Sequence, residues 1–412
     1  MENRRRIPAI GPESSLSPTP LDYDPYDYEL DRDPHPVWKR LRDEAPLYYN
    51  ERYDFWALSR FRDVLDASLD HETFSSARGT VIEMMDEPLV DPPMIFMDPP
   101  RHTAFRKLVS RTFTPRRISG LESRIRALCA GYLDPLVDTR EFDYLGAFGA
   151  RLPVMVISSL LGVPEEDQDQ LRIWSDQTLH REPGETGPSR AARAASQDIF
   201  AYWMSQIEAK RSHPVDDVLS DLVTAEIRPV DESPRPLSDA ELLSFCVLIS
   251  SAGNETVARF LGWAITLLES HPEERDRLVA NPRLIPNAVE EILRFEAPSP
   301  IQARWVTRNV EIHDTVVPKD SKIALLTASA NRDEREFAGA DRLDVTRRIT
   351  QHMSLGLGVH FCLGASLARL EARVALDETL RRFPKWQVDR DGLEMVHTST
   401  VRGYSRVPIR PQ

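Results

Sequence analysis

The sequence is short of cysteine, of long apolar runs and of net positive charge, and each shortage argues against a class of function. Only Cys129, Cys246 and Cys362 stand among its 412 residues, far apart and with no CxxC spacing. A disulfide framework or a structural zinc site is therefore not expected, and the usage fits a reducing cytoplasm. No stretch approaches the ~20 consecutive apolar residues of a membrane-spanning helix, so no membrane anchor is expected. The opening MENRRRIPAIGPESSLSP is basic but is not followed by an apolar run, unlike a signal peptide. A net charge of -13 argues against nucleic acid as a partner, because phosphate binding needs a basic surface. No internal repeat is found.

What is there is an ordinary globular composition in a chain long enough to enclose a bulky cofactor. Residues 1–30, rich in Pro, Asp and Ser, read as an extended arm, and residues 31–412 as a single domain. Leu47 to Tyr49 and Phe55 to Leu58 read as a hairpin, with short strands at Val310 to Ile312 and Ile323 to Leu326. Helical periodicity marks Leu121 to Val137, Ile199 to Ile207, Ala240 to Leu268 and Ala365 to Phe383. The expected class is mostly α with minor β. Thr80 to Met94 and Arg181 to Ser189 read as surface loops of a length often used as lids.

The segment HMSLGLGVHFCLGASLARLE, residues 352–371, sets a lone cysteine among Gly356, Gly358 and Gly364, ahead of a good helix. Glycines let the backbone turn tightly and approach a flat ligand. The sulfur would lie at a helix N-terminus, whose dipoles favour an anion and are expected to lower the thiol pKa. A cysteine beside one glycine turn is usually inert, but the coincidence of three glycines, His360 and the helix points to a metal-ligating thiolate.

Ser238 and Glu241 form a capping box, and the helix they open could run to Ser270. Its flanks are apolar, yet Ala252-Gly253-Asn254-Glu255-Thr256 interrupts them at a cost in stability. Alone, such a pentapeptide would be read as facing a solvent crevice. Glu291 and Arg294 share a helical face, a spacing that by itself usually means a weak surface pair. His102 and Arg106 also share a face.

Gly356-x-Gly358-x-His360-x-Cys362-x-Gly364 resembles the haem-binding signature of the cytochrome P-450 family, with Leu355 where the family usually has phenylalanine. Ala252 to Thr256 resembles the family's oxygen-activation motif, Glu291 and Arg294 its ExxR pair, and Ala330-Asn331-Arg332-Asp333 a recurrent structural string. The resemblance runs from Asp33 to Ile409. It implies the cytochrome P-450 fold, with haem b buried between the long central helix and the cysteine loop, and Cys362 as axial ligand to the iron. It implies a groove in the central helix, with Thr256 contacting dioxygen and Glu255 taking part in proton delivery. It assigns the haem propionates to His102, Arg106, Arg304 and His360, and places Arg347 as third partner of Glu291 and Arg294.

The resemblance also maps a substrate pocket. Val81, Met84, Met85 and Ile95 would close over the haem. Leu248, Ser251 and Ala252 would line the central helix. Pro300 and Ile301, then Thr400 and Val401, would complete it. Most are apolar, so a lipophilic small molecule is expected. The implied activity is dioxygen-dependent monooxygenation by a cytoplasmic monomer. Electrons would come indirectly from NAD(P)H through a ferredoxin or flavodoxin and its reductase. The basic island of Arg101, Arg106, Lys107, Arg111, Arg116 and Arg117 is a candidate docking patch for that partner. The alternatives are a haem-thiolate peroxygenase and a non-catalytic haem sensor or carrier; Glu255 and Thr256 argue against both.

Overall fold

The computed structural model describes residues 21–87, 89, 91–179, 189–228, 233–396, 398 and 400–412. Residues 1–20 of the expected arm, and all but Ser189 of the expected loop at 181–189, lie outside the described residues. Part of the arm departs from the expectation: Tyr28–Arg32 is a short helix, because the Asp27 carboxylate accepts from the Glu29 N–H and caps it.

The helices that shape the site are α1 (Arg101–Ser110), α2 (Glu122–Leu133), α3 (Arg151–Leu161), α4 (Glu165–Leu179), α5 (Arg190–Ser212), α6 (Asp239–Ser270), α7 (Ile285–Phe295) and α8 (Ala365–Arg382). α6 begins at the expected capping box: the Glu241 N–H donates to Ser238 Oγ at 3.2 Å, and the Ser238 N–H donates to Glu241 Oε2 at 2.9 Å. It ends where His271 leaves helical geometry before Pro272. Over its 32 residues it spans about 48 Å. Helices α3, α5, α7 and α8 pack around it, and Leu242, Phe260, Leu261 and Ile265 are buried in the main core. No described helix is long and apolar enough to cross a membrane.

A five-stranded sheet flanks this bundle. Its strands are β1 (Leu47–Asn50), β2 (Phe55–Leu58), β3 (Phe74–Ser75), β4 (Gln302–Val306) and β5 (Lys322–Leu325), in the order β1-β2-β5-β4-β3. β1 and β2 form the expected hairpin, pairing Leu47 with Leu58 and Asn50 with Phe55. Its turn places Asp54 at φ +49°, a conformation that aspartate tolerates. β5 runs parallel to β2 and antiparallel to β4, which brings Arg304 opposite Ile323.

The cysteine loop is tied to this frame by a buried charge cluster. Arg294 and Glu291 are wholly buried and paired through two bonds, at 2.7 and 2.9 Å. Arg347 adds a bond to Glu291 Oε1 at 3.1 Å. Arg294 Nη1 also donates to the carbonyls of Asn331 and Ala340. The Asn331 side chain receives the Met353 N–H at 2.7 Å and donates to Ser354 Oγ at 2.8 Å. Ser354 Oγ in turn donates to the Leu293 carbonyl. The chain of bonds thus runs from α7 through Asn331 to the start of the cysteine loop.

Breaking a buried pair from one side leaves its partner charged and unpaired. Arg294→Ala is expected to cost about 3–5 kcal/mol, read from denaturant unfolding midpoints. Arg32→Ala, which breaks only an exposed pair with Glu29, should leave the midpoint nearly unchanged.

Candidate active site

Two of the three glycines around Cys362 are there for backbone geometry. Gly356 and Gly358 both sit at φ +64°, and a Cβ on Gly358 would stand 3.0 Å from the Ser68 carbonyl oxygen. Gly364 has an ordinary φ of -83° and caps α8. A side chain there would meet no neighbour within 4 Å, so its absence leaves room rather than conformational freedom. The loop closes on itself through the Cys362 N–H, which donates to the Leu355 carbonyl at 2.8 Å.

The thiol does not behave as the helix-dipole argument alone predicts. Burial pushes its pKa up, and the Gly364 N–H together with the charges of Arg106 and Arg369 only partly offsets this. Desolvation outweighs the helix N-terminus here. A metal cation at the sulfur would reverse the balance, since a coordinating thiol is deprotonated outright.

Cys362 lies in a cavity of about 310 Å³. Leu355, Leu363, Gly364 and Ala368 accompany it on one side, and Leu248, Ala252, Thr256, Val257 and Phe260 of α6 face the same space. The α6 residues recur at helical spacing, which is why one apolar stripe carries both packing and the Thr256 hydroxyl. That hydroxyl donates to the Ala252 carbonyl at 2.9 Å. The expected groove in α6 is not a break: the helix is continuous through Gly253 and Asn254. Gly253 instead permits close packing, since a Cβ there would stand 2.7 Å from Ile157 Cδ1 of α3.

Glu255 does not face the cavity. It is buried and paired with Arg259 Nη2 at 2.6 Å, and Arg259 Nη1 donates to the Tyr404 carbonyl at 2.5 Å. One residue of rotation about α6 separates it from Thr256 and turns it toward the C-terminal strand. A proton route through Glu255 therefore requires the Arg259 pair to open.

Among the expected substrate-facing residues, Ile95, Leu248 and Ala252 line this cavity. Val81, Pro300, Ile301 and Val401 line a second, smaller one instead. Met85 is fully buried in the sheet-side core while Met84 is 37% exposed, because the short 3-10 turn at Ile82–Met84 sends consecutive side chains to opposite sides. Ser251 lies off the stripe of Leu248 and Ala252 and lines neither cavity. Thr400 also lines neither; its carbonyl accepts from Ser299 Oγ at 3.0 Å.

All four expected propionate residues gather at the large cavity: His102, Arg106, Arg304 and His360. His102 and His360 are in contact, with ring centroids 4.5 Å apart and ring planes tilted by 53°. Both His102 nitrogens and His360 Nε2 are buried without a hydrogen-bond partner. Burial, reinforced by neighbouring arginines, lowers His102 to about 4 and His360 to about 3, and carboxylates at the rim would push both back up. Arg304 is buried and lowered by burial to about 10, and its bond is to the Ala303 carbonyl. Among the described residues, neither Arg106 nor Arg304 forms an ion pair. Orphaned donors cost free energy when buried, and here they converge with uncompensated positive charge on apolar walls. The complement is a ligand with an apolar body and an anionic edge.

One group escaped the sequence reading. Glu371 lines the cavity from α8, is fully buried, and has one carboxylate oxygen without a partner. Burial pushes it well above the carboxylate range. Its signal was its place on the apolar face of α8, between Leu370 and Ala372 and one turn past Leu367.

The profile described as Cytochrome P450 matches residues 186–401. A protein named as putative cytochrome P450 123, from Mycobacterium tuberculosis strain ATCC 25618 / H37Rv, is 42% identical over 396 residues, spanning 95% of this chain and 97% of that one. The chain belongs to the cytochrome P450 family. A protein from Pseudonocardia autotrophica named as vitamin D(3) 25-hydroxylase is 37% identical, over 92% of this cytochrome P450 and 94% of its own length. The solved structure of cytochrome P450 CYP109Q5 from Chondromyces apiculatus superposes with a TM-score of 0.85 at 32% identity, covering 95% and 98% of the two chains. This cytochrome P450 is thus an oxidoreductase of the monooxygenase class with the fold of its family.

The family implies haem, and the residues fit it. Cys362 would offer the sulfur, the four rim residues would meet the two carboxylates, and the apolar walls would meet the porphyrin. Among the described residues no group of three or more His, Cys, Asp or Glu could hold a metal ion.

Two outcomes follow. Cys362→Ala should abolish the thiolate-type carbon monoxide spectrum, and Arg304→Ala should lower the haem-to-protein ratio on purification. Glu290 supplies a pH dependence. It joins α7 to α8 through Arg369 at 2.7 and 2.8 Å and to His352 at 3.2 Å. Burial raises its pKa, but these bonds outweigh that and hold it at about 2. A depressed folded pKa gives stability that is complete above the ordinary carboxylate range and is lost as pH falls toward the folded value. Unfolding midpoints should therefore fall between about pH 5 and about pH 2, and Glu290→Gln should flatten part of that slope.

Proposed function

We propose that this cytochrome P450 oxidises a lipophilic small molecule, with Cys362 and Thr256 on facing sides of the reaction chamber and electrons delivered by a separate acidic ferredoxin or flavodoxin. The observation that carries the reading is one apolar cavity that holds the thiol, the hydroxyl and the four rim residues together. The relative named as a vitamin D(3) 25-hydroxylase is in keeping with an apolar substrate.

Haem, when bound, supplies dioxygen activation and electron transfer, with electron density donated by Cys362. The chain does the rest. Ile95, Leu248, Val257 and Phe260 hold an apolar substrate and exclude water. Thr256 Oγ1 holds a proton, parked on the Ala252 carbonyl, which rotation about χ1 can redirect into the cavity. The rim residues orient the cofactor through its carboxylates.

The docking patch is smaller than the sequence suggests. Arg106 lines the cavity, and Arg117 is committed to Asp216 and Asp221 at 3.3 and 2.6 Å. Arg101, Lys107, Arg111 and Arg116 remain exposed. In a chain of net charge -13, such a patch would steer an acidic partner.

Thr256→Ala should retain haem but yield severalfold less product per NADH consumed, the balance appearing as hydrogen peroxide or water; unchanged coupling would remove Thr256 from its role. Reversing Arg111 and Arg116 to Glu should slow reduction by an acidic ferredoxin by roughly tenfold or more at low salt, with the gap closing as salt rises. Equal rates would dismiss the patch.

A further inference from the structure

Strand β4 divides its side chains between the two cavities. Alternation sends Ile301 and Ala303 to the smaller one and Gln302 and Arg304 to the large one. Gln302 is half-buried, and its Cα pairs with that of Leu325 on β5. Its carboxamide has two unlike ends, a nitrogen that donates and an oxygen that accepts. Which end is left for a ligand decides what that ligand must offer.

The choice is made two bonds away. The Thr400 carbonyl has no proton, so Ser299 Oγ donates its own to it, at 3.0 Å. Ser299 Oγ is then only an acceptor toward Gln302, and it receives Nε2 at 2.8 Å. Thr327 Oγ1 steadies the Ser299 backbone by donating to its carbonyl at 3.0 Å. Turning the amide over would set oxygen against oxygen with no proton between them. Gln302 Oε1 is therefore a fixed acceptor, and among the described residues nothing donates to it. Arg304, its neighbour on the same face, donates to the Ala303 carbonyl. The hydroxyls of Ser68, Ser354 and Thr256 along the cavity have given their protons to the carbonyls of Val64, Leu293 and Ala252. Ionised carboxylates at the rim bring no proton either, so they do not match this oxygen.

We propose that Gln302 is a specificity-determining residue of the oxidation chamber, its Oε1 receiving the hydroxyl proton of a lipophilic alcohol. A ketone of the same shape sets one acceptor against another and leaves both unsatisfied. The inference rests on the large cavity being the oxidation chamber and adds a functional group to the molecule that enters it.

The test uses the purified holoenzyme with 2-decanol and 2-decanone, which share a carbon skeleton and differ at the oxygen. Affinity is read by equilibrium dialysis. Entry to the chamber is read by the Soret shift to shorter wavelength that follows displacement of the iron's water. The alcohol should bind roughly tenfold more tightly than the ketone. Gln302→Leu keeps the bulk and removes the acceptor, and should bring the two within about twofold of each other. Ser299→Ala frees the amide to turn, and should narrow the gap by tightening the ketone. A merely structural role for Gln302 would weaken both compounds alike. Equal affinities in the wild type, failure of both compounds to bind, or the wild-type ratio persisting in either variant would overturn the acceptor. The wild-type ratio decides by itself where a variant does not fold. Loss of the thiolate-type carbon monoxide spectrum from the wild type would instead overturn the oxidation chamber.

Discussion

The structure depends most on the wholly buried pair of Glu291 and Arg294. An ion pair with no access to water contributes little net stability on its own, because desolvation offsets most of the Coulomb gain. What it contributes here is position. Arg294 holds the Asn331 carbonyl, the Asn331 side chain holds Met353 and Ser354, and Ser354 returns to the Leu293 carbonyl. The loop that carries Cys362 is thus fastened to the helix that carries Arg294, by bonds with defined geometry rather than by apolar packing. A sulfur that must meet a metal to within tenths of an ångström needs that kind of support.

The same string of residues serves both sides of the molecule. Asp333 Oδ2 accepts the Phe61 N–H at the start of a helix behind the sheet. Arg332 stacks over Phe295 at 3.4 Å and bonds Glu296, the acid that also engages Arg402. Ala330 to Asp333 therefore links the thiol loop, the sheet and the C-terminal segment. Its frame role was legible in the sequence as part of a resemblance, but its bonds were not.

Much of the site was legible because its signals are local. A capping box, an i,i+4 pair at His102 and Arg106, and glycines at fixed offsets from a cysteine constrain the backbone within a turn or two. The pocket was less legible because side-chain direction depends on rotation and on neighbouring elements. Glu255 sits one residue from Thr256 and faces another part of the molecule, where Arg259 waits for it. Val81, Pro300, Ile301 and Val401 do meet, but at a separate cavity. Arg106 and Arg117 read as members of a surface patch, yet one lines the interior and the other is neutralised by two aspartates. The thiol pKa was misjudged because a dipole is visible in a sequence and desolvation is not.

The cavity floor is balanced for a single anion. A deprotonated Cys362 has Arg106 and Arg369 within electrostatic reach, and Arg369 is also the partner of Glu290. Glu371 lines the same cavity from the helix that follows the cysteine. An ionised carboxylate there would add a second negative charge where water cannot screen it, and would favour protonation of the sulfur. Burial, with no cation offsetting it, instead raises the Glu371 pKa well above the usual carboxylate range and so favours its neutral form. The arrangement lets a polar group share the floor with a thiolate while leaving the sulfur as the one negative charge there. The rim is built the other way round: its arginines form no ion pair among the described residues, and ring nitrogens of His102 and His360 there lack hydrogen-bond partners. Floor and rim together specify a ligand that brings a cation to the sulfur at its centre and carboxylates to its edge.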